Sequence, residues 1–351
     1  MNGSVNGLAG DAAAQAGVES LDRIMQRGGT RLRDLMARTE QHLSELTAAA
    51  GEPLAGHANA TVVAGGKRLR PLLVLLAAES AGSEEHSAEE QERLVRAAVA
   101  VELVHSATLV HDDLIDGAEL RRGHPTVAAS AGRRVAVATG DLLFSRAFAE
   151  LARNEDSTQL QALSEASSAL AEGELLQRED AYASEVPVQR YLRRCELKTA
   201  ALFEAACRLG ALIAVGGSAA LADALGAFAR RIGLAFQMLD DVLDVSGPVE
   251  RTGKARGTDL LDGTVTLPFI LARARDPELA LVQLGSLAGP DGHRQAEELC
   301  ERIAATGALD EARERALAVV AEAKAALPEI LPCGRSELLE LVADSVVERY
   351  R

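Results

Sequence analysis

Apolar positions recur along most of the chain at three- and four-residue intervals. No stretch of useful length alternates with the period of two that a half-buried strand requires. Over 18–50, Leu21, Ile24, Met25, Leu32, Leu35 and Met36 fall on one side, with Gly28 and Gly29 as a point of interruption. A connection over 52–66, holding Pro53 and a glycine pair, leads to an apolar helix over 72–81. A polar loop at 82–90 precedes a long helix predicted over 91–115. A loop over 117–132 follows, then helices over 133–153, 158–183, 188–215 and 219–245, and a loop over 248–263. From 264 to 351 the pattern breaks into shorter helices at Pro277, Gly289-Pro290, Gly307 and Pro328. No linker or composition shift marks a boundary. The pattern predicts an all-α fold: one helical domain over 18–351 behind a disordered N-terminal tail over 1–17.

Composition sharpens this picture. Of 351 residues, 48% are hydrophobic, 3% are aromatic and none is Trp, which favours Ala/Leu-packed helices over sandwiches. Thirty-seven basic against 52 acidic residues give a formal charge of −15. That field repels nucleic acid, so an anionic ligand needs a local basic cluster. The cysteines, Cys195, Cys207, Cys300 and Cys333, form no CxxC pair and lack zinc-ligand spacing. Reduced thiols and a cytoplasmic location are expected. No run of about 20 uninterrupted apolar residues occurs, so no membrane span is predicted.

The chemistry gathers at two helix ends. Asp112, Asp113 and Asp116 close the apolar run beginning at Val101. Residues four apart lie on one helical face, so Asp112 and Asp116 project side by side and Asp113 points away. Adjacent carboxylates repel, and burying them unpaired is costly. An acidic end on a solvated face is the alternative to a cation site. Asp240, Asp241 and Asp244 repeat the spacing 240 − 112 = 128 residues later, again at the end of an apolar helix. Two such ends packed face to face would require cations, and Mg²⁺ suits few carboxylates completed by water and phosphate oxygens. Basic groups accompany them: Lys67, Arg68 and Arg70 in GGKRLRP, Arg121 and Arg122, Lys198, and Lys254. Lys198, in an apolar helix, is either a snorkelling surface residue or a phosphate ligand. No Walker loop, strand-borne GxGxxG or Ser/His/Asp order is present. The set suits a diphosphate carrying an apolar tail: cations would make the diphosphate a leaving group, and an apolar, water-poor cavity would protect the carbocation left behind.

In motif and order the chain resembles the trans-isoprenyl diphosphate synthase (polyprenyl synthetase) family. The motifs are GGKRLRP at 65–71, DDxxD at 112–116, RRG at 121–123, KT at 198–199, FQxxDDxxD at 236–244, and GK at 253–254 before GTDL and TLP. The resemblance implies a single large bundle of antiparallel helices around a central cavity, of isoprenoid synthase type, usually in a homodimer. It implies magnesium-dependent, head-to-tail condensation of isopentenyl diphosphate with an allylic diphosphate. Mg²⁺, three ions with substrate bound, would be held by Asp112, Asp116 and Asp240, with Asp244 behind them. Arg121, Lys198, Thr199, Gln237 and Lys254 would hold the allylic diphosphate. Lys67, Arg70, His105 and Arg122 would hold isopentenyl diphosphate. The catalytic set is then Asp112, Asp116, Lys198 and Asp240. His105 lies two turns before Asp112 on nearly the same face; taken alone it reads as a buried, satisfied histidine.

One departure is GTVTLP, where the family often carries Gly-Lys before TLP, so Thr264 and Val265 leave any such role to Lys254. In the family, bulky residues four and five positions before the first DDxxD block elongation; here they are Thr108 and Ala107. Nothing aromatic lies between Leu94 and Asp112, which predicts an unplugged wall of roughly 25 Å and a long product, roughly C30–C50. Phe144 and Phe148 are candidates for a deeper floor. A geranylgeranyl (C20) product and a non-catalytic partner subunit of a heteromeric synthase are the alternatives. A terpene cyclase is disfavoured because FQMLDDVLD lacks the Asn/Ser/Glu triad.

Overall fold

The computed structural model describes residues 19–49, 51, 54–63, 66–82, 86–121, 123–183, 185–214, 218–247, 256–332 and 334–348. The N-terminal tail, Arg122, Lys254 and Cys333 lie outside them. The described residues are helical almost throughout. Helix α1 covers 19–27, and the chain turns at Gly28 and Gly29, whose φ of 72° favours glycine. There follow α2 (Gly29–Ala48), α3 (Leu54–Val63), α4 (Leu69–Ala81), α5 (Ala88–Asp116), α6 (Val127–Ala131), α7 (Arg133–Ala152) and α8 (Ser157–Asp180). Next come α9 (Val188–Cys195), a π-helical turn (Glu196–Ala200), α10 (Ala201–Ile213) and α11 (Ala219–Ser246). The remainder is α12 (Thr258–Leu261), α13 (Leu267–Arg275), α14 (Pro277–Ala280), a 3₁₀ turn (Leu284–Leu287), α15 (Gly292–Ala305), α16 (Ala308–Ile330) and α17 (Glu337–Glu348).

α5 sits at the centre. Ser87 and Glu90 start it with a reciprocal capping box, Ser87 Oγ accepting from the Glu90 N–H at 3.1 Å and Glu90 Oε2 from the Ser87 N–H at 2.9 Å. Gly117, at φ 66°, stops it in the left-handed conformation. Between those caps Leu94, Val95, Ala97, Ala98, Val99, Ala100, Val101, Leu103 and Val104 are all buried, so the helix is enclosed on every side. It packs most extensively against α7, and also against α2, α4 and α10; α10 and α11 form the next layer, backed by α16. α5 is long and apolar enough to cross a bilayer by length and composition, but 72% of its most apolar window is buried by the surrounding helices, as in a core helix.

Several predicted boundaries shift. The connection over 52–66 contains α3, and the loop over 117–132 contains a two-stranded hairpin, Leu120–Arg121 against His124–Pro125, and α6. α8 stops at Asp180, because Tyr182 takes a left-handed φ of 60° and its N–H donates to Gly263 O at 2.8 Å. The helix predicted over 188–215 is interrupted by the π turn. Pro328 does not break α16: it lies in the last turn, where its missing N–H removes one bond and the Leu331 N–H still reaches Leu327 O at 2.9 Å.

Candidate active site

The first acidic cluster divides as its spacing predicts. Asp113 is buried and turned inward, where Arg121 binds it through Nε and Nη2 at 2.7–2.9 Å. This pair ties the hairpin to the end of α5. Arg121, expected on substrate, is thus paired with Asp113. Asp112 and Asp116 face elsewhere. Burial pushes the Asp112 carboxyl up to about 6, opposed by the Lys198 charge and reinforced by Glu174 and Asp116. Lys198 Nζ lies 3.7 Å from Asp112 Oδ2 and also contacts Glu174 on α8. Arg178, one turn beyond Glu174, contacts Asp116 through Nη2 and Glu174 through Nε at 2.8 Å.

The π turn makes contact with both acidic helices. A π turn adds a residue to the helical repeat and re-aims the side chains it carries. Lys198 and its neighbour Thr199 both lie in it. Lys198 reaches back to α5, whereas Thr199 Oγ1 donates to Gln237 Oε1 on α11 at 2.7 Å. Two close approaches clamp the turn. A Cβ on Gly173 of α8 would lie 2.5 Å from the Lys198 nitrogen, and one on Gly233 of α11 would lie 2.8 Å from Ala200 Cα.

In the second cluster Asp241 is the inward member. Its carboxylate accepts from Tyr191 Oη and from Gln237 Nε2, both at 2.7 Å. Burial and the Asp259 charge push its carboxyl up to about 7, against those two hydrogen bonds. Asp240 and Asp244 are partly exposed on the other face, and Asp244 Oδ2 accepts from the Asp259 N–H at 3.2 Å. Among the described residues no three His, Cys, Asp or Glu side chains converge enough to cage a metal by themselves. Paired carboxylates with room for other oxygens fit Mg²⁺, which binds through one or two carboxylates plus water and phosphate.

The basic turn before α4 supplies a third group. Lys67 is exposed, whereas Arg70 packs over the Phe203 ring at 4.8 Å. Arg70 Nε is shut off from solvent and unpartnered, and burial pulls the guanidinium down to about 10 despite the opposing Glu102 charge. Arg68, at a left-handed φ of 46°, anchors the turn through Glu102 at 2.7 Å, Glu40 and Val62 O. His105 is half-buried on α5. Ala107 is enclosed in the core, while Thr108 is half-buried and its hydroxyl donates to His105 O at 2.8 Å. Phe144 stacks on His111, and Phe148 packs half-buried against the core. A groove of about 450 Å³, lined by Glu165, Arg193, Arg208 and Arg230 among others, involves none of the predicted site residues.

A family model described as Polyprenyl synthetase matches residues 52–303. The chain belongs to the polyprenyl synthetase family. It is 37% identical over 293 residues to a geranylgeranyl diphosphate synthase of Methanosarcina mazei, covering 82% of this chain and 87% of that protein. It is 42% identical over 241 residues to heptaprenyl diphosphate synthase component 2 of Geobacillus stearothermophilus, covering 69% and 73%. Its fold matches a polyprenyl synthase from Caulobacter crescentus, solved with calcium and isoprenyl diphosphate, with a TM-score of 0.83, 34% identity, and 94% and 98% of the two chains covered.

Glu174, Arg178, Tyr191 and Glu102 also belong to the site, and none of them falls in a motif legible in the sequence. The signal for Arg178 was its spacing from Glu174, a helical i,i+4 pair.

Proposed function

We propose that this chain is an all-trans polyprenyl diphosphate synthase. It is a prenyltransferase that joins isopentenyl diphosphate head-to-tail to an allylic diphosphate. The observation that carries the reading is the π turn, with Lys198 on Asp112 and Thr199 on Gln237, spanning the two acidic helices. Asp112, Asp116 and Asp240 would hold Mg²⁺, three ions with substrate bound, and Asp244 would support them. When bound, magnesium neutralises diphosphate oxygens and makes diphosphate a better leaving group.

The remaining work falls to side chains. Lys198, Thr199 and Gln237 hold the allylic diphosphate, joined by Arg121 once it leaves Asp113, and by Lys254. Lys67, Arg70, His105 and Arg122 hold isopentenyl diphosphate; the buried, unpartnered Arg70 Nε supports a cation kept for an anion. The allylic C–O bond breaks with both electrons leaving on diphosphate. The isopentenyl double bond attacks the allylic cation. The proton then lost passes to the released diphosphate, so no side-chain base is required. The absence of an aromatic residue between Leu94 and Asp112 supports a long product, roughly C30–C50. The chain is read as a cytoplasmic homodimer.

The C20 reading draws support from the Methanosarcina relative, and the partner-subunit reading from a relative named as a synthase component. Incubation of the purified chain with magnesium, labelled isopentenyl diphosphate and C10, C15 or C20 primers separates them. Long products from the chain alone are expected. C20 as the end product selects the first alternative. Incorporation only after a second protein is added selects the other. C15 as the sole product refutes the long-chain reading.

A further inference from the structure

Each carboxylate of the first acidic pair carries a side-chain cation from another element. Asp112 lies against Lys198 and Asp116 against Arg178, while Glu174 contacts both cations. The five groups form a closed ladder, because Asp112 and Asp116 are one turn apart on α5 and Glu174 and Arg178 one turn apart on α8. Glu174 is the least exposed member, its side chain 12% accessible; Arg178 and Asp116 are the most open, at 36% and 28%.

Arg178 spans two acceptors with one planar fork. Its Nε is held by Glu174 Oε1 and its Nη2 lies on Asp116 Oδ1. A divalent ion coordinated by Asp116 would compete for that oxygen and would repel the guanidinium beside it. Either cation can occupy the carboxylate, but both together are unfavourable. If Nη2 is displaced, the Nε–Glu174 bond remains and keeps the guanidinium at the edge of the site.

We propose that Arg178 is a stand-in cation of the metal site, occupying Asp116 in the resting chain and pivoting on Glu174 onto the diphosphate when diphosphate and a divalent ion arrive together. This rests on the reading of Asp112 and Asp116 as magnesium ligands. Divalent ion alone must displace Arg178 without compensation. Diphosphate offers the displaced guanidinium a new partner, so the two ligands bind cooperatively. Glu174 is the fulcrum: it keeps Lys198 and Arg178 from settling wholly on Asp112 and Asp116.

The test is calorimetric titration of the full chain with magnesium chloride alone, and with inorganic pyrophosphate at saturating magnesium. Arg178→Ala should bind magnesium alone about fivefold or more tighter and magnesium-pyrophosphate about fivefold weaker, collapsing the cooperativity. Arg178→Gln, which keeps the bulk and loses the charge, should do the same if the alanine variant fails to fold. Glu174→Gln should weaken magnesium binding. Arg294→Ala, which removes an exposed arginine paired with Glu298, should leave both affinities unchanged. Wild-type magnesium affinity in the Arg178 variants, or an equal rise in Arg294→Ala, overturns the proposal. Asp116→Asn keeps the two ideas apart. If it abolishes magnesium binding while the Arg178 variants bind normally, only the stand-in role fails. If it leaves binding intact, the metal-ligand reading fails with it.

Discussion

Gly173→Ala tests whether the clamp on the π turn positions the chemistry. The new Cβ would lie 2.5 Å from the Lys198 nitrogen and 2.9 Å from its Cα. Ordinary contact begins at 3.4 Å, so backbone must move by 3.4 − 2.5 = 0.9 Å. Backbone, unlike the end of a long side chain, has no rotamer into which it can retreat. Overpacking of this kind costs about 1–3 kcal/mol. Alanine recovers about 1 kcal/mol of helix propensity over glycine in α8. The net cost is therefore about 0–2 kcal/mol. At about 2.1 cal/mol/K per residue over 351 residues, the melting entropy is about 0.74 kcal/mol/K, so Tm should fall by at most about 3 °C. Activity should respond far more, because displacing a positioning group by about 1 Å can cost about 100-fold. The assay is a melting curve beside kcat and KM for both diphosphates. A large fall in kcat with a small change in Tm is expected. Gly285→Ala, where an added Cβ meets nothing within 4 Å, should alter neither. A Gly173→Ala enzyme with wild-type kcat refutes the idea that this contact sets the reach of Lys198.

Other consequences can be checked separately. Tyr191→Phe leaves the buried Asp241 with one fewer donor, which should cost about 1–3 kcal/mol and appear as a lowered Tm. His42 Nε2 donates to the Glu150 carboxylate at 2.9 Å, and that hydrogen bond, outweighing burial, raises the imidazole above its ordinary 6.5. A raised histidine contributes stability that is complete below 6.5 and is lost as pH rises through the folded value, so Tm should decline there. His42→Ala should flatten that part of the profile, and an unchanged slope would exclude the pair as its source. Thr108→Phe, one turn below Asp112 on a half-buried face, should shorten the product. The same change at the fully buried Ala107 should chiefly destabilise, as chain-length analysis with melting curves would reveal.

Much of this protein was legible in its amino acids. Apolar spacing of three and four encodes a helix and the face it buries, so α5, α7, α8 and α11 emerge close to their observed limits. The same arithmetic sets Asp112 and Asp116 side by side, since relations within one helix follow from its pitch. Boundaries moved where distant backbone intervened, as when Gly263 draws Tyr182 off the end of α8. Contacts between helices are another matter. Arg178 meets Asp116 across 62 residues, Tyr191 meets Asp241 across 50, and Thr199 meets Gln237 across 38. No local period encodes these pairs. They depend on how closely α8 and α11 approach the π turn, which Gly173 and Gly233 permit by presenting no Cβ. Sequence alone determined the long helices, the two acidic ends and the family to which they belong. Tertiary structure decided which carboxylate turns inward to Arg121 or Tyr191 and which is met by Lys198 or Arg178, because helix packing, not helix pitch, fixes which charges share a space.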